Sequence, residues 1–201
     1  MIEMIAHAVA LGLLGLCFVA FSAASYRHFR AAESRGNTAI RLLTLLASAG
    51  FAAHCVMSPV PQLWMSLTAA GLAALSLAVF RAAMAAVPDR VLDVAFTGSG
   101  PDRLFRHGIY GRVRHPLYLA YLLYWGAWVV VSAGAWLTLG GLALFAGMYW
   151  TAARQEERYL ARRFGEEFSA HQRTAGLFWP LPFGGRQGGA MATEGHPEHR
   201  A

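Results

Sequence analysis

Five apolar stretches, separated by loops that are alternately rich in Arg and free of it, constrain this chain more than any other feature. Ile5 to Ser25 contains no Asp, Glu, Lys or Arg and is long enough to cross about 30 Å of hydrocarbon as a helix. Residues 39–57, 63–86, 117–133 and 135–153 follow. The last two are short and would cross only with little tilt or some local thinning of the bilayer. Glu3 is the only charged side chain before Ile5, so the basic region of a signal peptide is missing and the first stretch reads as a membrane helix.

The loops orient the spans. Arg27, Arg30 and Arg35 follow the first stretch, and Arg90, Arg103, Arg106, Arg112 and Arg114 follow the third. Arg154, Arg158, Arg162, Arg163 and Arg173 follow the fifth, whereas Ser58 to Gln62 and the turn near Gly134 carry none. Positive residues favour the cytoplasmic side, so the N-terminus is expected outside and the C-terminus in the cytosol. Arg41 and Arg81 lie near the cytosolic ends of their spans and can snorkel.

Composition agrees with this reading. Only 14% of residues are charged, against about 25% in soluble domains. A net charge of +6 would raise nucleic acid as a partner of a soluble protein, but here the cations follow the loop pattern, so the expected partner is the lipid bilayer. Arg to the exclusion of Lys, among many Ala and Gly, reads as GC-rich coding, and the expected location is a bacterial cytoplasmic membrane. Cys17 and Cys55 fall within spans without metal-type spacing, so no metal site is expected.

The chain is therefore expected to be an all-α integral membrane protein with about five transmembrane helices in a single domain over residues 1–183. Residues 154–172 should form an amphipathic interfacial helix, with Tyr159, Leu160, Phe164, Phe168 and His171 on one stripe. The loop between Val87 and His115 is long and polar, with turn-forming Pro88-Asp89 and residues 97–101 and a possible short interfacial piece at Val91 to Phe96. Phe178 to Phe183, rich in aromatics and Pro, suits the headgroup region. Residues 184–201 lack periodicity and should be a disordered tail.

Two polar clusters stand at opposite ends of the last two spans: Arg114-His115-Pro116-Leu117-Tyr118 and Glu156-Glu157. A hairpin turning at Ser132-Ala133-Gly134 would bring them to one membrane surface. Pro116 suits a first helical position, which places Arg114 and His115 at a helix N-terminus that attracts anions. Gly108 and Gly111 upstream would let backbone approach a ligand closely. Adjacent glutamates point about 100° apart on a helix, so one faces a given ligand squarely. An ordinary basic loop capped by Pro, and a solvated acid pair on an interfacial helix, would produce the same two patterns. His7 and His54, ionisable groups inside spans, are weaker candidates. Tyr118 lies one turn from His115; Tyr121, Tyr124, Trp125, Trp128 and Trp150 read as interface belts and packing.

Gly108 to Tyr118 (Gly-Ile-Tyr-Gly-Arg-Val-Arg-His-Pro-Leu-Tyr) resembles the RHPxY block of integral-membrane methyltransferases, the isoprenylcysteine carboxyl methyltransferases and phospholipid N-methyltransferases. Glu156-Glu157, Leu160, Phe164-Gly165 and Phe168, ending near Pro180, resemble their second block. The resemblance runs from about Arg106 to Pro180. It implies S-adenosylmethionine as cofactor, bound between the blocks on the cytosolic side by Gly108, Tyr110, Gly111, His115, Pro116, Tyr118, Glu156 and Glu157. Methyl transfer would go to a lipophilic acceptor: an isoprenylcysteine-type carboxylate, a thiol or a lipid amine. Arg114 and Glu157 are the expected catalytic pair, with Arg114 neutralising an anionic group and Arg173 the second substrate contact. Ala120, Phe168, His171 and Leu177 depart from the family pattern; Leu177 stands where relatives often carry an Arg. Two alternatives keep the architecture but change the chemistry: an NADPH-dependent enzyme resembling sterol reductases, and a non-catalytic membrane accessory protein.

Overall fold

The structure, a computed structural model, describes residues 1–27, 35–87 and 103–181. The proposed interfacial piece Val91 to Phe96, the neighbouring turn sequences and the tail 184–201 lie outside the described residues.

All the long elements are helices: α1 (Ile2–Arg27), α2 (Arg35–Met57), α3 (Leu63–Ala85), α4 (Pro116–Val131) and α5 (Trp136–Thr174), with a 3₁₀ turn at Gly108–Gly111. They occupy the five apolar stretches. Ile2–Ala24, Thr38–Met57 and Leu63–Ala85 are long and apolar enough to cross a membrane. Helix α4 is apolar but has only 16 residues, about 24 Å at 1.5 Å per residue. It closes on α5 at the expected turn, where Ala133 and Gly134 take φ of 54° and 74° and the Gly134 N–H donates to the Val129 carbonyl at 2.8 Å.

Helix α3 is central, packed along α1 and α4, while α4 also packs on α5. Small residues permit the α1–α3 approach: Ala10, Cys17, Ala69 and Ala73 are fully buried. The Cys17 thiol donates to the Ala73 carbonyl at 3.3 Å. Ser76, also buried, donates to the Ala120 carbonyl of α4 at 2.7 Å. Where lipid replaces water, close packing and interhelical hydrogen bonds of this kind hold helices together. Aromatics fill the α4–α5 contact: Trp125 stacks on Phe145 with centroids 4.0 Å apart, and Phe51 of α2 meets Trp125 and Trp128 edge-on.

One expected boundary is not there. The fifth span and the amphipathic segment were expected to be separate helices, divided near residues 153 and 154, but they form one 39-residue element. Hydropathy changes at that point; backbone preference does not, because residues 154–164 contain no Gly or Pro and are rich in strong helix formers. The backbone departs from helical geometry only at Gly165 (φ 50°, ψ −119°). Beyond it, Phe168 and His171 are buried, as Leu160 is before it, so much of the apolar stripe faces protein.

Ala73 has no spare volume around it. Ala73→Leu should cost about 1–3 kcal/mol by overpacking the α1–α3 contact, read as a lower thermal midpoint in detergent beside an unaffected substitution at exposed Leu75.

Candidate functional site

The hairpin of α4 and α5 brings the two polar clusters together. Before α4 the chain makes the 3₁₀ turn, entered at Gly108 with φ 60°. At Gly111 a Cβ would lie 2.9 Å from the Arg106 carbonyl oxygen, so glycine is required there by close approach. Tyr110 is buried in this turn. The chain then runs extended, and Val113 forms a parallel bridge with Gly176, in a strap that follows α5. The Arg114 and His115 N–H groups donate to the Gly176 and Leu177 carbonyls at 2.8 and 3.1 Å, and the Gly176 N–H donates back to the Arg112 carbonyl at 3.0 Å. A Cβ on Gly176 would run into the Trp179 carbonyl.

Arg114 is the hub. Its Nε and Nη2 both lie 2.7 Å from Glu157 Oε1, and Nη1 donates to the Ala175 and Gln172 carbonyls. The guanidinium thus ties α5 and the strap to the start of α4, and its donors are directed at protein rather than at an anionic ligand. Glu157 is buried and also lies 3.6 Å from Arg154. His115 is 5% exposed and sits between the acids, with Nδ1 3.5 Å from Glu156 Oε2 and Nε2 3.8 Å from Glu157 Oε1. Its buried Nε2 has no hydrogen-bond partner. Glu156 is about one-third exposed, and among the described residues it pairs with no arginine.

Burial alone would lower the His115 pKa, but the neighbouring carboxylates of Glu156 and Glu157 outweigh it and raise the pKa. Burial would raise Glu157, but His115 and Arg114 hold it below the usual carboxylate value. His171, buried and close to the cations Arg114, Arg106 and His115, is pushed down to about 4.

A column of rings continues from the imidazole. Tyr118 stacks on His115 at 5.5 Å, Tyr149 stacks on Tyr118 at 5.5 Å, and Phe178 of the strap stands edge-on to both His115 and Tyr118. Trp150 borders Phe178 and carries the Arg154 guanidinium 4.6 Å above its ring.

Arg114, His115, Pro116, Tyr118, Glu156 and Glu157 therefore converge, with the turn that contains Gly108, Tyr110 and Gly111 leading into them. Arg173 does not join them; it pairs with Glu166 at 2.9 Å on the exposed side of α5. Sequence reasoning missed Tyr149, Phe178 and the strap. Tyr149 stands two turns before Glu156 on α5, a spacing that would have placed it on the same side. Nothing in residues 175–178 announces a strap except Gly176.

These features define an α-helical membrane protein with an acid-lined, aromatic niche at one end of its bundle. The chain belongs to the phospholipid methyltransferase family, whose family model matches residues 64–167, a little over half of its length. The match includes α3, both polar clusters and α5 as far as Glu167, and membership implies a membrane methyltransferase. No curated protein matches the chain significantly.

Two outcomes test the site's electrostatics. Arg114→Ala leaves Glu157 buried with its closest cation gone and should cost about 3–5 kcal/mol, with Arg114→Ala/Glu157→Gln recovering part of the thermal midpoint. His171 gives a pH signature. Between an ordinary histidine pKa of about 6.5 and the folded value of about 4, the unfolded chain binds a proton that the folded chain does not. Stability should fall as pH falls through that window. His115 acts in the opposite sense: its contribution is complete below about pH 6.5 and is lost as pH rises through its raised folded pKa. Thermal midpoints measured from pH 6.5 to 4 should decline, less steeply in His171→Gln; equal slopes would exclude His171 as the source.

Proposed function

We propose that this protein transfers a methyl group from S-adenosylmethionine to a nucleophile on a membrane-partitioned acceptor, with the cofactor held at the end of the bundle where α4 begins, on the cytosolic side. The observation that carries this reading is the inequality of the two glutamates. Glu157 is neutralised by Arg114 and buried; Glu156 stays partly exposed beside His115. Glu156 is thus the carboxylate placed to meet a cationic group, and Glu157 anchors the wall.

The residues fit such a cofactor. The Glu156 carboxylate suits an ammonium or sulfonium centre, the unpartnered His115 Nε2 suits a polar edge, and the faces of Tyr118, Tyr149 and Phe178 suit an aromatic or cationic surface. Gly108, Tyr110, Gly111 and Pro116 shape the turn that borders the niche. When bound, the cofactor supplies an electrophilic methyl group on a sulfonium. Arg114 holds Glu157, the strap and the first turn of α4 in register. Phe178 and Trp150 exclude water from the niche. Arg173, paired outside the niche, retains at most a peripheral role in binding acceptor.

The charges bear on the acceptor. With Arg114 committed to Glu157, an anionic acceptor near Glu156 would have only His115 of this cluster to offset that carboxylate. An amine meets a carboxylate that can take its proton, as an ammonium requires before it can attack. A lipid amine is therefore the favoured acceptor over an isoprenylcysteine-type carboxylate.

Calorimetric titration of the detergent-purified chain with S-adenosylhomocysteine tests the reading. Micromolar binding is expected, weakened about tenfold or more by Glu156→Gln, the scale of one charge-assisted hydrogen bond. A folded chain that binds NADPH instead would establish the reductase alternative. Cofactor binding without methyl transfer to any amine, thiol or carboxylate lipid would indicate the accessory role.

A further inference from the structure

Helix α5 continues past the apolar part of the bundle at the end where α4 begins. Trp136, strongly exposed, marks its other end, and Arg154 lies about 27 Å further along at 1.5 Å per residue. That length matches a hydrocarbon layer of about 30 Å, which puts Arg154 at the boundary. Trp150, one turn before it, and Trp179 of the strap are exposed at this level, as aromatics of a membrane–water interface are. From Arg154 to Phe164 the helix runs on unbroken. Its exposed positions there are Arg154, Gln155, Arg158, Ala161, Arg162 and Arg163, with no acid among them.

The acids of α5 are all engaged elsewhere. Glu157 is buried on Arg114, Glu156 lies beside His115, Glu167 pairs with Arg106 and Glu166 with Arg173. Arg158 and Arg162 stand one turn apart, and among the described residues neither forms an ion pair. Like charges four residues apart on a helix repel, and an anion between them relieves that repulsion. Helical side chains also tilt toward the helix N-terminus, which on α5 is the direction of the bilayer. The arginines follow that tilt. Arg154 reaches back over the Trp150 ring at 4.6 Å, Arg162 Nε donates to the Arg158 carbonyl at 3.1 Å, and Arg163 Nη1 donates to the Tyr159 hydroxyl at 3.5 Å. The backbone at Arg158 and Arg162 lies about 6 and 12 Å beyond Arg154. The backward lean returns their charge toward the headgroup layer, about 5–8 Å deep on each side of the hydrocarbon.

We infer that this outward face of α5 is a binding surface for phospholipids of net negative charge, with the headgroup phosphate held between Arg158 and Arg162. A zwitterionic headgroup brings its own cation to a face that contains no carboxylate to receive it, so the face discriminates by net charge. Charge segregation carries the inference: the carboxylates of α5 turn to the niche or to the pairs beyond Gly165, and the arginines are left to the lipid side. The inference does not depend on the methyltransferase reading, because neither Arg158 nor Arg162 belongs to the cofactor niche.

The test is photo-crosslinking of the full chain in phosphatidylcholine vesicles with two probes that differ only in headgroup, a photoactivatable phosphatidylglycerol and a photoactivatable phosphatidylcholine, followed by peptide mapping. The phosphatidylglycerol probe should label residues 154–164 saturably and the phosphatidylcholine probe should not. High salt should weaken the labelling, because exposed charges are screened. Each of Arg158→Gln and Arg162→Gln should raise the half-saturating phosphatidylglycerol fraction about fivefold, the scale of one arginine near an anionic surface. Both side chains are exposed, so the thermal midpoint should stay unchanged and a folding defect is read separately. Arg173→Gln removes the same charge from a residue already paired with Glu166, and should leave the labelling as it was. Equal labelling of residues 154–164 by the two probes would overturn the proposal and point to a soluble acidic partner for this face. An equal loss in Arg173→Gln would also overturn it, because the preference would then belong to net charge and not to this face.

Discussion

The ion pair between Arg114 and Glu157 is the interaction on which the candidate site depends. It joins three pieces of chain distant in sequence: the loop before α4, the middle of α5 and the strap after it. A buried pair is weak evidence of stability by itself, because desolvating two charges offsets much of their attraction. Its value here is positional. With both Nε and Nη2 on one carboxylate oxygen, and Nη1 on the carbonyls of Gln172 at the end of α5 and Ala175 of the strap, the guanidinium plane fixes where α5 passes the start of α4. His115 and Glu156 are then set by their neighbours along the chain.

The bundle provides a rigid base for that arrangement. The α1–α3–α4 contact uses small side chains and two side-chain-to-carbonyl hydrogen bonds, a packing mode that works in lipid, where burying apolar surface contributes little. The α4–α5 contact uses large rings instead, in the stack of Trp125, Phe145, Tyr149 and Tyr118. That column connects the bundle interior to the polar niche. The ion pairs Arg106–Glu167 and Arg173–Glu166 lie outside it on more exposed surface, where such pairs contribute about 0–1 kcal/mol.

Much of this was legible in the sequence. Apolar stretches reveal membrane helices because hydrocarbon selects length and polarity and little else, and the turn at Ser132 to Gly134 followed from the two spans it separates. Convergence of Arg114–Tyr118 with Glu156–Glu157 followed from the hairpin. What pairs with what did not. The sequence placed Arg114 against a substrate anion, but a guanidinium beside a buried carboxylate takes the partner that is always present. The continuity of α5 was hidden because polarity and helix preference diverge after Ala153. Tyr149 and Phe178 were invisible because an aromatic near a membrane surface looks the same whether it anchors in lipid or stacks on an imidazole.

The strap has a consequence for how the protein is made. Synthesis proceeds from the N-terminus, so Arg114 and His115 are made well before Gly176 and Leu177, whose carbonyls receive their N–H groups. A nascent chain arrested at the end of α5 possesses its helices but lacks the wall that holds His115 in place. Assembly of the niche is thereby tied to completion of translation through Leu177.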